Sequence, residues 1–274
     1  MALERRGAPD YERPVRLTAI TIHPIKSCGG VPLERARVEL PGLALDRRFM
    51  LVDAQNEFVS QRSVPALARV RVSLDGDELV VAAAGASELR LASGAAPGAA
   101  ERVRVWGSET VGVEVPHASA WFSELLSDAV RLVRMPDEAL RPVDPDYGKP
   151  GDRVSYADGF PLLLVSEASL AALNERLDAP VEMRRFRPNL VISGVGPHAE
   201  DTFECFRIRD VGFRAVKPCS RCVMVTHDPD TGEAGREPLA TLARHRSRDG
   251  KVYFGMNVIP DACGEVAVGD RILL

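Results

Sequence analysis

The 274-residue sequence has no uncharged apolar run near the roughly 18–20 residues that a membrane-spanning helix needs. Its opening, MALERRGAPDYERP, has no apolar core of the kind found in secretory signals, so a cytoplasmic location is expected. A repeat of fixed period is also missing, while hydrophobic residues make up 45% and charged residues 27% of the chain. This composition is that of a folded globular protein and excludes fibrous and intrinsically disordered classes.

A strong charge excess is missing as well, since 35 Lys and Arg against 39 Asp and Glu give a net charge of −4. Nucleic acid is therefore not expected as a main partner, because phosphate binding needs a basic excess. Cysteines are few and odd in number, in a chain long enough to build an apolar core without disulfides. We expect free thiols or ligands at Cys28, Cys205, Cys219, Cys222 and Cys263.

Short β-type segments separated by turn signals run along most of the chain. Ala36, Val38 and Leu40 alternate with charged residues, which is the period of a half-buried strand. Many short strands at this spacing favour an antiparallel barrel or sandwich over alternating βαβ units. Strands are predicted over 17–22, 35–40, 48–52, 79–83, 102–106, 110–115, 189–193, 203–208, 211–216, 222–227, 251–259 and 265–274.

Three segments have helical character instead. Apolar residues recur at helical spacing over 119–129, and Ser166 is a suitable N-cap for a helix that carries leucines to residue 177. A third short helix is predicted over 239–245. The proline-rich segment 141–153 between the first two helices is either a linker or an active-site loop.

The pair Cys219 and Cys222 forms a CxxC motif within KPCSRC, where Lys217 and Arg221 favour a thiolate. A structural zinc site needs about four ligands, and His227 lies outside the usual spacing. A thioredoxin-like dithiol needs the motif at a helix N-terminus, whereas these cysteines lead into a predicted strand. A single cysteine that binds a softer metal centre is the third interpretation.

Two further segments carry groups suited to an anion. In HPIKSCGGV, Lys26, Ser27 and the glycine amides could hold an anion, and in FRPN, Arg187 and Asn189 add a guanidinium and an amide. One arginine of the pair 47–48 must point inward at the start of its strand, and a buried arginine needs an anionic partner. The five histidines are scattered, which favours surface or core positions over catalysis.

Taken together, HPIKSCGGV, DGFPLLLVSEASLAALNERL, FRPNLVISG with AEDTF, and KPCSRCVMVTHDPDTG resemble MOSC-domain proteins that carry the MOSC N-terminal β-barrel. This group contains the mitochondrial amidoxime-reducing component and its bacterial relatives. The resemblance covers nearly the whole chain and implies a mixed, mainly β fold with a few short helices. It implies a MOSC N-terminal β-barrel domain at 15–117, followed by a MOSC β-barrel domain with connecting helices at 118–274.

The resemblance also implies a molybdenum cofactor, a pyranopterin that holds Mo with one protein thiolate as a further ligand. Cys222 matches the family's metal ligand and would be the catalytic residue, while Cys219 matches the position that does not bind the metal. Lys26 and Ser27 correspond to contacts on the cofactor phosphate. The cofactor-binding residues implied are Lys26, Ser27, Arg48, Asp158, Arg187, Asn189, Ser220 and Arg221.

Such proteins reduce N-hydroxylated substrates such as amidoximes, hydroxylamines and N-hydroxylated bases. From this sequence we expect a form without the membrane and targeting segment of the mitochondrial members and without the ferredoxin domain of some bacterial members. A separate flavin, haem or iron–sulfur protein is therefore expected to donate electrons. The alternatives are a cofactor or sulfur carrier without reductase turnover, since MOSC domains also occur in cofactor sulfurases, and a scaffold that has lost its cofactor.

Overall fold

The computed structural model describes residues 14–94 and 96–274. The opening segment in which no secretory signal was expected lies almost entirely outside these residues. Within the described part of the chain, no helix is both long and apolar enough to cross a membrane. The prediction of a mainly β fold with a few short helices is confirmed.

Strands account for most of the regular structure in the described residues. The strands are β1 Arg16–Ile22, β2 Val31–Leu33, β3 Arg35–Glu39, β4 Gly42–Leu43, β5 Phe49–Val52, β6 Arg71–Asp75, β7 Glu78–Ala82, β8 Leu89–Ala92, β9 Ala100–Val105, β10 Ser108–Glu114, β11 Arg131–Arg134, β12 Leu162–Ser166, β13 Leu190–Ser193, β14 Cys205–Ile208, β15 Val211–Arg221, β16 Ser247–Arg248, β17 Lys251–Pro260, β18 Gly264–Ala267 and β19 Ile272–Leu273. The α-helices are α1 Pro116–Leu126, α2 Glu167–Asn174 and α3 Leu239–His245. Short 3-10 helices span Pro65–Arg69, Met183–Phe186, Ala199–Thr202 and Val223–Thr226.

The largest sheet has the strand order β19-β14-β15-β17-β12-β13-β1-β2 and is antiparallel except at one pair. β12 and β13 are parallel and are joined through α2, so this one unit departs from the antiparallel arrangement predicted. The physical reason lies in β12, whose five residues are all buried, as is typical of a central strand covered on both faces. Ser166 caps α2 as predicted, because its Oγ accepts a hydrogen bond of 3.0 Å from the Ser169 amide.

Three smaller sheets complete the fold, with the orders β5-β11-β10-β9, β18-β3-β4 and β6-β7-β8. Strand pairing crosses the boundary predicted between residues 117 and 118. β1 and β2 join the large sheet of the C-terminal half, whereas β11 pairs with β5 and β10 of the N-terminal half. One apolar cluster accordingly contains residues of both halves, such as Ile20, Leu51 and Phe213. The two halves are therefore held in contact by sheet pairing and by a shared core.

The strand predicted over 222–227 is not formed, which is a correction to the sequence interpretation. β15 ends at Arg221, and the apolar residues that follow turn into the 3-10 helix Val223–Thr226. The Val225 amide donates to the Cys222 carbonyl at 3.2 Å, so local hydrogen bonds replace ladder bonds. Val225 is buried while Val223 is 51% exposed, so the run VMV does not fill one buried face.

The strand predicted over 265–274 is also corrected, since it is divided into β18 and β19. The chain turns at Gly269, which has φ of +90°, and the Asp270 amide donates to the Ala267 carbonyl at 3.1 Å. A glycine followed by an aspartate is a turn signal that the apolar pattern of the segment concealed. The remaining predicted strands and helices are present with shifts of a few residues at their ends.

Candidate functional site

An open cleft of about 920 Å³, part of it shared with solvent, lies where the loop after β1 meets the end of β15. The described residues that line it include six cationic side chains and a single carboxylate. These charged residues are Lys26, Arg47, Arg62, Arg185, Arg187, Arg221 and Asp158. Such an excess of positive charge in a concave site favours an anionic ligand.

Lys26 lies at the inner end of the cleft, in the turn that follows β1. Its Nζ donates to the Tyr156 carbonyl at 2.9 Å and forms an ion pair with Asp158, whose carboxylate also accepts from Trp106 Nε1 at 3.2 Å. Burial lowers the pKa of Lys26. Partial enclosure acts to raise the pKa of Asp158, but the charge and hydrogen bond of Lys26 outweigh it and hold that pKa well below its usual range. Both groups are therefore charged at neutral pH.

The turn that carries Lys26 is fixed by its neighbours. Ser27 is buried with φ of +71°, and its carbonyl accepts a hydrogen bond of 2.6 Å from Gln61 Nε2. Gly30 allows the His23 ring to approach closely, because a Cβ there would lie 2.7 Å from His23 Cε1. The motif HPIKSCGGV thus forms a tightly packed turn that presents Lys26 and Ser27 to the cleft.

Arg187 and Asn189 reach the same cleft from the segment between the 3-10 helix Met183–Phe186 and β13. Arg187 ends that 3-10 helix with φ of +54°, and its guanidinium donates to the Cys28 carbonyl at 2.6 Å. Burial and the nearby charge of Arg47 lower the pKa of Arg187 to about 10. An anion beside Arg187 would relieve this unfavourable burial.

Asn189 also lines the cleft, and its side-chain amide has protein partners at both ends. It is 1% exposed, and its Nδ2 donates to the Thr21 carbonyl at 3.1 Å. Its Oδ1 accepts from the Leu163 amide at 3.2 Å and from Arg47 Nη1 at 3.0 Å. These contacts join β1, β12 and the arginine, so Asn189 holds the cleft wall together with its amide already hydrogen-bonded.

Of the two adjacent arginines, the structure brings Arg47 into the cleft and not Arg48. Arg47 Nη1 contacts Asp46 at 2.6 Å, and its Nη2 donates to the Arg187 carbonyl at 3.2 Å. Arg48 is buried elsewhere and pairs with Asp137 at 2.6 Å, the anionic partner that a buried arginine needs. The separation arises because Arg47 has φ of +49° in the turn before β5, so the two side chains diverge.

The CxxC motif lies at the mouth of the cleft, at the end of β15. Cys219 is half-buried within the strand, and its Sγ accepts from Arg221 Nη1 at 3.1 Å. Cys222 follows the last strand residue, and its Sγ accepts from Arg62 Nη2 at 2.9 Å. Each sulfur therefore has a guanidinium within hydrogen-bonding distance.

Ser220 and Arg221, between the two cysteines, also line the cleft. Ser220 is exposed, and Arg221 Nη2 donates to the Phe186 carbonyl at 2.6 Å. The Arg221 Nε atom is buried and has no hydrogen-bond partner among the described residues. An unpaired buried donor in a cleft wall is a position that a bound ligand would satisfy.

The other interpretations of the CxxC motif receive no support from the geometry. Among residues 14–94 and 96–274, three or more His, Cys, Asp or Glu side chains do not come together as a metal-binding group. The motif lies at a strand end that leads into a 3-10 helix, whereas a thioredoxin-like dithiol is placed at the N-terminus of an α-helix. A single thiolate ligand to a softer metal centre requires neither arrangement.

Several residues of the cleft were missed in the sequence, among them Arg62, Phe58 and Trp106. Arg62 Cζ lies 4.3 Å from the centroid of the Trp106 ring, and the Phe58 and Trp106 rings meet edge to face at 4.7 Å. No motif marks Arg62 or Phe58, which reach the site through the fold of the N-terminal half. Trp106 carried a weak signal, since it ends a predicted strand and precedes a glycine.

Comparison with known proteins gives two matching family models. The MOSC N-terminal beta barrel domain matches residues 15–129, and the MOSC domain matches residues 151–273. The human mitochondrial amidoxime-reducing component 1 is 37% identical over 92% of this chain and 81% of its own length. The mouse mitochondrial amidoxime-reducing component 1 is 34% identical over 98% of this chain and 86% of its own length. A rice molybdenum cofactor sulfurase is 31% identical over 88% of this chain and 32% of its own length.

Proposed function

Since the chain belongs to the MOSC-domain family and includes the MOSC N-terminal beta barrel domain, we propose that it is a molybdenum-cofactor-dependent oxidoreductase. Its substrates are small N-hydroxylated compounds, such as amidoximes, hydroxylamines and N-hydroxylated bases. The observation that carries the proposal is the placement of Cys222 at the mouth of a cleft with six cationic side chains. A soft sulfur ligand suits molybdenum, and cations suit a phosphorylated pterin.

The residues of the cleft fit such a cofactor by several independent features. Three of the six cations of the lining, Lys26, Arg47 and Arg185, already pair with carboxylates. The other three, Arg62, Arg187 and Arg221, pair with none among the described residues, so an anionic group would balance these three. The unpaired Nε of Arg221 and the lowered pKa of Arg187 each point to a missing acceptor or anion.

We assign the cofactor contacts to two groups of residues. Cys222 is the proposed metal ligand, with Ser220 and Arg221 beside it on the same strand end. Lys26, Ser27 and Arg187 are the proposed contacts for the phosphate and pterin at the inner end. Arg47 takes the place that the resemblance gave to Arg48, because Arg47 lines the cleft. Asn189 contributes indirectly, by holding Arg47 and β1 in place.

The reaction consumes two electrons and two protons for each N–OH group and releases the amine or amidine together with water. A bound molybdenum cofactor supplies the two-electron centre for this oxygen removal. Asp158 stays ionised beside Lys26, so it acts as a hydrogen-bond acceptor and not as the source of protons. Electrons are proposed to come from a separate flavin, haem or iron–sulfur protein.

The similarity to a molybdenum cofactor sulfurase supports a second candidate, a cofactor or sulfur carrier without reductase turnover. The two candidates are separated by assaying molybdenum-loaded protein with reduced viologen and an amidoxime. Amidine formation that depends on Cys222 would support the reductase. Stoichiometric molybdenum without turnover of any N-hydroxylated compound would reject the reductase and favour the carrier. Protein that binds no molybdenum under cofactor-competent expression would reject the reductase and the cofactor carrier, and would leave the sulfur carrier.

A further inference from the structure

Trp106 has an unusual backbone for its residue type. It lies in the two-residue turn between β9 and β10, where Val105 pairs with Ser108, and its φ is +55°. This left-handed region suits glycine or asparagine, and a bulky side chain there is a genuine outlier. Since strained residues cluster at binding and active sites, the tryptophan needs an explanation beyond the turn itself.

The indole is held in one orientation at the cleft. Its Nε1 donates to Asp158 at 3.2 Å, and its ring meets the edge of Phe58 at 4.7 Å. The Arg62 guanidinium rests over the indole at 4.3 Å, and Arg62 Nη2 contacts Cys222 Sγ at 2.9 Å. Trp106 is nevertheless 41% exposed, and Arg62 is exposed as well. A fixed, solvent-facing stack therefore reaches the thiol from the N-terminal half of the chain.

We propose that the stacked pair of Trp106 and Arg62 is the substrate platform of the cleft and favours aromatic N-hydroxylated substrates over small aliphatic ones. This inference rests on the proposed function. Planar groups stack on guanidinium faces as well as on aromatic rings, and the indole beneath keeps the Arg62 plane in position. Because Arg62 also touches Cys222 Sγ, a substrate on this platform lies beside the proposed metal ligand. Both members are specificity-determining residues and not groups that carry out the reaction.

The test compares benzamidoxime with acetamidoxime, which share the reacting group and differ in the planar ring. For Trp106→Asn we expect the ratio of kcat/KM for benzamidoxime to that for acetamidoxime to fall about fivefold, mainly through KM for benzamidoxime. Asparagine tolerates the left-handed backbone, so the turn is retained. Arg62→Lys keeps the charge and removes the plane, and we expect a similar fall. Trp106→Phe keeps a ring, and its ratio should stay within about twofold of the parent.

Trp121 provides the matched control, because it is the other tryptophan of the chain and its Nε1 contacts the Ser87 carbonyl away from the cleft. Trp121→Phe should have the same ratio of kcat/KM for benzamidoxime to kcat/KM for acetamidoxime as the parent protein. It also leaves Trp106 as the single indole, whose fluorescence reports binding without turnover. We expect saturable quenching of this emission by benzamide, which is planar, neutral and has no N–OH group. Acetamide should not produce it.

The outcomes separate this inference from the proposed function. An unchanged substrate ratio in both Trp106→Asn and Arg62→Lys would overturn the platform while leaving the reductase intact. If the molybdenum-loaded parent protein turns over neither these amidoximes nor any other N-hydroxylated compound, the proposed function fails, and the fluorescence experiment then tests the platform by itself. Saturable quenching by benzamide would support the platform, and its absence would overturn it.

Discussion

The two sides of the cleft differ in how their charges are balanced. The inner wall, formed by Lys26, Arg47, Arg187 and Asn189, is largely buried and is held by Asp158, Asp46 and backbone carbonyls. The thiol wall, formed by Arg62, Cys219, Arg221 and Cys222, is more open. Within the described residues, the two arginines of the thiol wall contact sulfur atoms and one carbonyl but no carboxylate.

This difference indicates separate roles. The inner wall is preorganised, since its side chains are fixed whether or not a ligand is bound, and preorganised donors bind anions at a smaller entropic cost. The thiol wall has cations beside two cysteine sulfurs and no protein carboxylate among the described residues, so its charge is left for a bound ligand to balance. Substitutions in the inner wall are therefore expected to affect stability as well as cofactor retention, whereas those in the thiol wall affect the chemistry of the site.

The largest loss of cofactor retention among these predictions is expected for substitution of Lys26 or Arg187 in the inner wall. Arg187→Ala and Lys26→Ala each remove charge-assisted contacts of about 1.5–3 kcal/mol, so cofactor retention should fall by roughly 10- to 150-fold. The molybdenum content of purified protein measures this loss. Arg209→Ala is a suitable control, because Arg209 pairs with Asp270 at the surface. Unchanged molybdenum content in both inner variants would break the assignment of this wall to the phosphate.

Asn189→Ala tests the structural part of the inner wall. The side chain makes hydrogen bonds of 3.1, 3.2 and 3.0 Å to Thr21, Leu163 and Arg47, so its removal leaves buried groups unpaired. We expect a loss of about 2 kcal/mol in the free energy of unfolding, measured by denaturation of the cofactor-free protein. A stable variant that only loses molybdenum would instead make Asn189 a direct cofactor contact.

Arg47 and Arg48 provide the next comparison, because they are adjacent and face different surroundings. Arg47→Ala should reduce molybdenum retention several-fold, the equivalent of about 1–1.5 kcal/mol. Arg48→Ala removes a buried guanidinium together with its contacts to Asp137 and to the Met135 and Pro136 carbonyls, and it should lower stability more than retention. The opposite pattern would restore Arg48 as the cofactor contact implied by the sequence resemblance.

The smallest expected effect is on the pH dependence of stability, to which the ion pair of Lys26 and Asp158 contributes. The pKa of Asp158 is lowered in the folded state, so its stabilising contribution is present above its unfolded pKa of about 3.9 and is lost as the pH falls. Its side chain is 68% exposed, and solvent screening limits the contribution to about 0.5 kcal/mol. Asp158→Asn should remove this part of the stability difference between pH 6 and pH 3. An identical difference in parent and variant would contradict the ion pair.

Much of the fold followed from local patterns in the sequence. The alternation in β3, the Ser166 cap and the bounds of α3 were predicted because each depends on neighbouring residues. The segment 222–227 was misassigned, because three apolar residues fit a strand as well as a 3-10 turn when the burial of each is unknown. The division of 265–274 into two strands was missed because the apolar pattern of the segment concealed the turn at Gly269 and Asp270.

For the site, too, the sequence predicted the residues of contiguous motifs but not those brought together by tertiary contacts. Lys26, Ser27, Arg187, Asn189 and the residues 220–222 were predicted from contiguous motifs, and all of them line the cleft. Arg62 and Trp106 were missed because they reach Cys222 only through tertiary contacts between distant segments. The choice between Arg47 and Arg48 depended on one backbone angle in a turn, which residue types alone do not determine.

The most direct test of the account is the molybdenum content of Cys222→Ser and Cys219→Ser, each expressed in molybdate-fed, cofactor-competent cells beside the parent protein. We predict near-stoichiometric molybdenum in the parent, none in Cys222→Ser and most of the parent content in Cys219→Ser. Equal losses in the two variants would contradict the assignment of Cys222 as the single metal ligand. Zinc in place of molybdenum in the parent would contradict the cofactor itself.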